Sequence, residues 1–203
     1  MARLVLVGLP GAGKTTVAGV IATRWGCECA DTDDEIAATV GGVASQYLRR
    51  EGEAKFRERE LEALRAALER DAVVATGGGA VTMEAARTML RDEVVVWLDC
   101  PDPVLLERMG DVDRPLLDGD PETALARLRE ERTRFFADVA RARVDASGAV
   151  TSDLTLSLFQ PSWVNRKAGV LFISTTRCSE NAMSSAVTDA PLSNFWLGRS
   201  LKV

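Results

Sequence analysis

Gly8-Leu9-Pro10-Gly11-Ala12-Gly13-Lys14-Thr15 carries the pattern that decides the fold, G-x-x-x-x-G-K-[ST]. It follows an apolar run over residues 3–7 and opens a helical pattern over 14–25, the strand–loop–helix context that a phosphate-binding loop requires. Glycines let successive amides face inward around phosphate oxygens, and the helix N-terminus adds partial positive charge. The nucleotide-binding set is therefore Gly11, Ala12, Gly13, Lys14, Thr15 and Thr16. Lys14 is placed to reach the β and γ phosphates, and the Thr15 hydroxyl to ligate Mg²⁺. No N-K-x-D guanine motif occurs in the chain, so ATP is expected rather than GTP.

Outward from this loop, short β-branched runs alternate with helical patterns. Strands are expected at 27–31, 72–76, 94–98 and around 143–146. Helices are expected at 33–39, 43–50, 53–70, 82–91, 102–109 and 121–140. Such alternation implies parallel pairing with right-handed crossovers, hence a doubly wound α/β sheet with helices on both faces. A ligand then lies at the carboxyl ends of the strands, where every motif below falls.

Asp31-Thr32-Asp33 closes the second expected strand. On an extended strand end, residues i and i+2 point the same way, so both carboxylates can face the cleft. One would orient the magnesium shell, the other hold or deprotonate a substrate hydroxyl. The alternative is a helix cap at Asp33, ahead of Asp34-Glu35-Ile36. Phe56-Arg57-x-x-Glu60 puts Arg57 and Glu60 three residues apart on one helix, where the carboxylate can fix the guanidinium. Spacing alone favours a solvated charged face there. Gly77-Gly78-Gly79 ends the third strand and suggests a strained turn or close backbone approach to a ligand, with a plain flexible turn as the alternative. Arg108 and Asp113-Arg114-Pro115 flank a Gly/Asp-rich stretch over 110–120 that is expected to close as a lid, bringing Arg114 to the transferring phosphoryl. Arg132 stands among Arg129, Arg134 and several acids and reads by itself as surface charge.

Composition excludes several chemistries. The chain of 203 residues has no histidine, which rules out Ser-His-Asp and Cys-His catalysis and histidine metal sites within it. Thirty acidic against twenty-five basic residues give a net charge of −5, against broad nucleic-acid or anionic-membrane binding. The cysteines at 27, 29, 100 and 178 lack zinc-ribbon or C-x-x-C spacing and are expected to be buried and reduced. The N-terminal apolar run is too short for a signal peptide, and no run approaches a membrane span. A cytoplasmic location is expected.

The ordered set G-L-P-G-A-G-K-T, D-T-D, E-G-E-x-x-F-R-x-x-E, T-G-G-G-A-V, D-R-P-L-L and R-x-x-F-F-x-x-V-A, spread over about residues 3 to 158, resembles shikimate kinase. The resemblance implies a three-layer α/β/α P-loop fold with a five-stranded parallel sheet of order 2-3-1-4-5 and a lid. It also implies MgATP-dependent phosphorylation of the shikimate 3-hydroxyl, a step toward chorismate and the aromatic amino acids, by a monomer. Substrate contacts carry over to Asp33, Arg57, Gly78, Gly79 and Arg132. In the family's pattern Arg57 and Arg132 hold the substrate carboxylate, and Asp33 holds the reacting hydroxyl as candidate base. Asp31 lies near magnesium, Lys14 and Arg114 face the phosphates, and Arg108 lies near the adenine. A gluconate kinase-like enzyme and a non-catalytic nucleotide-binding regulator are the rival readings.

Two departures stand out. Phe135-Phe136 occupies a place where the family often has Leu-Tyr, an exchange expected to matter little. The larger departure is the tail over 159–203. Serine occurs twice in residues 1–150 and nine times in 151–203, and net charge changes from −7 to +2 across that break. Residues 151–159 are compatible with a helix start, and from Gln160 onward the resemblance ends. A disordered extension, an interaction segment or a shifted reading frame each account for such a tail.

Overall fold

The computed structural model of the chain describes residues 1–110, 120–148 and 171–173. Six parallel strands run in the order β2-β3-β1-β4-β5-β6: β1 Leu4–Val7, β2 Glu28–Asp31, β3 Ala72–Ala75, β4 Val95–Asp99, β5 Ala142–Asp145 and β6 Leu171–Ile173. The expected five-stranded order is present, and Leu171–Ile173, from the segment set apart as a tail, adds a sixth strand beside β5. Strands β1 and β3 are buried along their whole length, which is why they read as uninterrupted apolar runs rather than alternating ones.

Helices α1 Lys14–Trp25, α2 Thr32–Val40, α3 Ala44–Glu51, α4 Glu53–Glu69, α5 Glu84–Leu90, α6 Asp102–Met109 and α7 Pro121–Val139 complete the layers on both sides of the sheet. Val17 and Ile21 of α1, Leu64 of α4 and Leu125, Leu128 and Phe136 of α7 join Leu4–Val7 in one apolar core. Burial of each such side chain contributes roughly 1.5–3 kcal/mol. Because all strands are parallel, Val7, Asp31, Ala75, Asp99 and Asp145 end on the same edge. No helix among the described residues is long and apolar enough to cross a membrane.

Two local differences from the sequence expectation bear on that edge. The helix expected over 82–91 is instead a 3-10 turn, Ala80–Thr82, followed by α5 from Glu84. Thr82 donates both its amide (3.0 Å) and its hydroxyl (2.8 Å) to the Gly79 carbonyl, closing a tight turn that a regular helix would not contain. At Asp31-Thr32-Asp33 the extended chain stops one residue earlier than the i, i+2 argument needs. Asp31 is the N-cap of α2, its Oδ1 accepting from the Asp33 amide at 2.9 Å, so Asp33 is the second residue of the helix. The cap is Asp31, not Asp33, and the two carboxylates reach the cleft from different elements.

Candidate active site: a phosphate loop and an arginine pair

The loop after β1 is shaped by what surrounds it. Gly11 has φ +80°, and a Cβ there would sit 2.8 Å from the Leu105 carbonyl of α6, so the turn admits only glycine. Ala12 is buried, contributing its backbone rather than its side chain to the loop. Gly13 caps α1 without a side-chain hydrogen bond, and the first turn of α1 holds no acidic residue. The positive end of the helix is thereby left for an external anion. Lys14 folds back over the loop, its Nζ donating to the Leu9 carbonyl at 3.0 Å. A cavity of about 470 Å³ opens here, bounded by Gly11, Gly13, Lys14, Thr15 and Thr16 on one side and by Asp31, Asp33, Gly78 and Arg108 on the other.

Thr15 and Asp31 form a unit inside this cavity. The Thr15 hydroxyl donates to Asp31 Oδ2 at 2.5 Å while Oδ1 caps α2. Its proton committed, the Thr15 oxygen keeps its lone pairs for a cation. Among the described residues no group of three or more His, Cys, Asp or Glu side chains could hold a metal ion. Two hard oxygens fit a magnesium ion that takes its remaining ligands from phosphate and water, and they do not make an all-protein cage.

Beside Gly78 lies a second cluster. Arg57, on α4, pairs with Glu60 and with Glu53 Oε1 at 2.9 Å. Glu60 is only 2% exposed and the Arg57 side chain 14%, so this is a largely buried ion pair rather than the solvated face that its spacing suggested. Burial pushes the Glu60 carboxyl up, Arg57 pulls it down, and nearby Asp33 pushes it up again. Burial also works against the charge on Arg57, but Glu60 and Glu53 outweigh it and hold its pKa high. The Arg57 guanidinium lies against the backbone of Gly79, where any Cβ would overlap it. That contact, not turn flexibility, requires the third glycine.

Arg132 comes from α7, remote in sequence, and is 3% exposed. Its Nη1 donates to the Gly78 carbonyl at 3.0 Å, and its Nε is buried with no hydrogen-bond partner. Burial lowers its pKa, and the neighbouring positive charge of Arg57 lowers it further. Arg129, one turn earlier, is instead tied to Asp99 (2.9 Å), Asp102 (2.6 Å) and the Cys100 carbonyl. Charge and spacing had not separated these two arginines; only the resemblance, through R-x-x-F-F, had singled out Arg132.

Arg108 lines the same cavity and donates to the carbonyls of Ala146 (2.8 Å), Ser147 (3.2 Å) and Gly148 (2.7 Å), fixing the loop after β5. Arg114 and the lid stretch around it lie outside the described residues, as does most of the tail. Three participants escaped the sequence reading. Thr76 lines the cavity, Pro10 packs on Gly78, and the buried Thr32 hydroxyl accepts from the Gly77 amide at 2.8 Å. Each stood inside a quoted motif without being singled out: Thr76 in T-G-G-G-A-V, Pro10 in the phosphate loop and Thr32 in D-T-D.

Comparison with known proteins agrees with this geometry. The family model for shikimate kinase matches residues 10–160. A shikimate kinase of Salinispora tropica is 42% identical over 156 residues, covering 76% of this chain and 93% of the relative. One from Frankia casuarinae is 41% identical over 154 residues, covering 75% and 68%. Among solved structures, the shikimate kinase of Acinetobacter baumannii in complex with shikimate superposes with a TM-score of 0.73 at 36% identity, covering 76% of this chain and 89% of that one. A deoxyadenosine kinase from M. mycoides, at 16% identity and a TM-score of 0.51, shares the fold alone. This chain belongs to the shikimate kinase family.

Proposed function

We propose that the chain transfers the γ-phosphoryl group of ATP to the 3-hydroxyl of shikimate. The observation that carries this reading is the arginine pair. Arg132 is buried with an unpartnered Nε beside Arg57, and among the described residues Glu60 is the one buried carboxylate opposing them. Two guanidinium groups held against their own repulsion call for an anion, and a planar carboxylate matches their fork geometry. The Gly78 backbone carries this cluster to the phosphate loop, and Asp33 lies between the two.

With the shikimate carboxylate on Arg57 and Arg132, the ring hydroxyls point toward Asp33 and the loop. The 3-hydroxyl oxygen attacks Pγ, the bond from Pγ to the bridging oxygen of ADP breaks, and the hydroxyl proton passes to Asp33. Lys14 and the α1 N-terminus hold the phosphates in line, and Arg114 is assigned to the transferring group through its place in Asp113-Arg114-Pro115. Positioning dominates over deprotonation, since phosphoryl transfer passes through a loose transition state. Thr15 and Asp31 would hold magnesium, which when bound offsets the phosphate charge.

The deciding assay is ADP release with MgATP and shikimate, gluconate or no acceptor. Release with shikimate alone is expected. Release with gluconate would replace the acceptor, and no release with any would favour the regulator. A narrower test is Gly79→Ala, whose methyl must displace the Arg57 guanidinium. The shikimate KM is expected to rise roughly tenfold, about 1.4 kcal/mol of lost binding, while the ATP KM stays put, because the displaced guanidinium no longer meets a carboxylate in its fork geometry. An unchanged shikimate KM would remove Arg57 from the substrate site.

A further inference from the structure

Arg132 meets the glycine segment at Gly78 through one hydrogen bond, on a helix anchored in the core by Leu125, Leu128 and Phe136. The structure contains a second link three residues further along α7. The Phe135 ring has the Arg87 guanidinium 4.4 Å from its centroid and that of Arg134 at 4.6 Å on the same ring. From α5, Arg87 also reaches back to the 3-10 turn, its Nη1 donating to the carbonyls of Val81 (2.8 Å) and Thr82 (2.9 Å). Thr82 in turn donates to the Gly79 carbonyl. A closed circuit results, from Arg132 to Gly78, along the turn through Thr82 to Arg87, and across the Phe135 face back to α7.

We propose that Arg87, acting through Phe135, is a positioning residue that sets the glycine segment and Arg132 in register for the acceptor substrate. This inference rests on the shikimate reading of the site. Two points of attachment fix both the distance and the rotation of α7 against Gly78 and Gly79, and a guanidinium suits the task because it stacks on a ring while donating from its edge. Phe135 is thus more than a packing exchange. A leucine there would fill space but offer no π face to Arg87. Phe136, by contrast, is 1% exposed and stacks on Trp97 with centroids 5.6 Å apart, an ordinary core role. Arg87 donates to Val81 and Thr82 and stacks on Phe135, none of which belongs to the phosphate loop, so its effect should fall chiefly on the acceptor side.

The test is steady-state kinetics on full-length wild type, Arg87→Leu, Phe135→Leu and the double variant, with the shikimate KM, ATP KM and kcat determined separately. The expected result is a shikimate KM raised roughly tenfold in Arg87→Leu. Phe135→Leu should show a smaller rise, and the double variant no more than Arg87→Leu alone, since both cut one circuit. The ATP KM should stay within twofold throughout. Arg87→Lys, which keeps the charge and one donor direction, should fall between wild type and Arg87→Leu. A shikimate KM within twofold of wild type in both single variants, or an ATP KM that rises in parallel, overturns the assignment while leaving the shikimate reading intact. If Arg87→Leu does not fold, an unchanged shikimate KM in Phe135→Leu and Arg87→Lys is sufficient to overturn it. Wild type that releases no ADP with shikimate overturns both.

Discussion

Replacing Lys14 by alanine is expected to lower kcat by roughly 10²-fold or more. Lys14 follows the loop directly, and its ammonium is held over the loop by the Leu9 carbonyl at 3.0 Å, beside a cavity that the loop glycines, Thr15 and Thr16 also line. Charge migrating onto the β,γ-bridging oxygen as the Pγ bond breaks meets that ammonium in a site already arranged for it. The loss therefore falls on the transition state more than on the bound substrates. Shikimate affinity should change little, because Arg57 and Arg132 sit on other elements. Lys14→Arg should recover little of the rate, since a planar fork cannot take the place of a compact ammonium within a backbone cradle. Single-turnover phosphoryl transfer is the measurement, and near-normal turnover in Lys14→Ala would remove the residue from catalysis.

The second large effect separates the two arginines. Both Arg57→Ala and Arg132→Met are expected to raise the shikimate KM by roughly 10²-fold, the scale of losing a charge-assisted, partly desolvated contact. Their effects on stability should differ. Arg57 is the ion-pair partner of Glu60, which is 2% exposed, and its removal leaves that buried carboxylate with the weaker influence of Arg132, a loss of up to about 3–5 kcal/mol at neutral pH. Arg132 has a lowered pKa, so the fold disfavours its charge, and methionine should leave the melting temperature unchanged or raise it.

The pH dependence of Arg57→Ala follows from Glu60. Its folded-state pKa is already raised by burial, and losing Arg57 raises it further. Below the ordinary carboxyl pKa, Glu60 is protonated whether folded or unfolded and the variant's penalty is absent. As pH rises from there the unfolded chain ionises first, and the folded variant loses stability until Glu60 ionises as well. Chemical denaturation of wild type and variant at acidic and neutral pH should show the two curves converge at low pH. A constant gap would mean that Glu60 is not the stranded group.

How much of this was legible without coordinates varies by residue. Gly11, Gly13, Lys14 and Thr15 were assignable because a phosphate loop is built within eight consecutive residues, and its neighbours in sequence are its neighbours in space. The strand order beyond alternation, and the substrate contacts at Arg57 and Arg132, came with resemblance rather than from spacing. Asp31 and Asp33 were found and the strand ends at Asp31 as expected, but the helix starts at Thr32 rather than 33, so the cap is Asp31; a one-residue shift in a helix start lies below what propensities resolve.

By itself, then, the sequence determined a parallel α/β architecture with its ligand at the strand ends, because apolar periodicity and a contiguous loop motif are local properties. Only the tertiary structure decided that Arg57 and Glu60 are buried together, that Arg132 and not Arg129 turns toward the glycines, and that Phe135 couples α7 to Arg87. Each of these depends on which elements pack side by side. The Arg132 to Gly78 bond spans 54 residues of chain, a separation over which periodicity carries no information about contact.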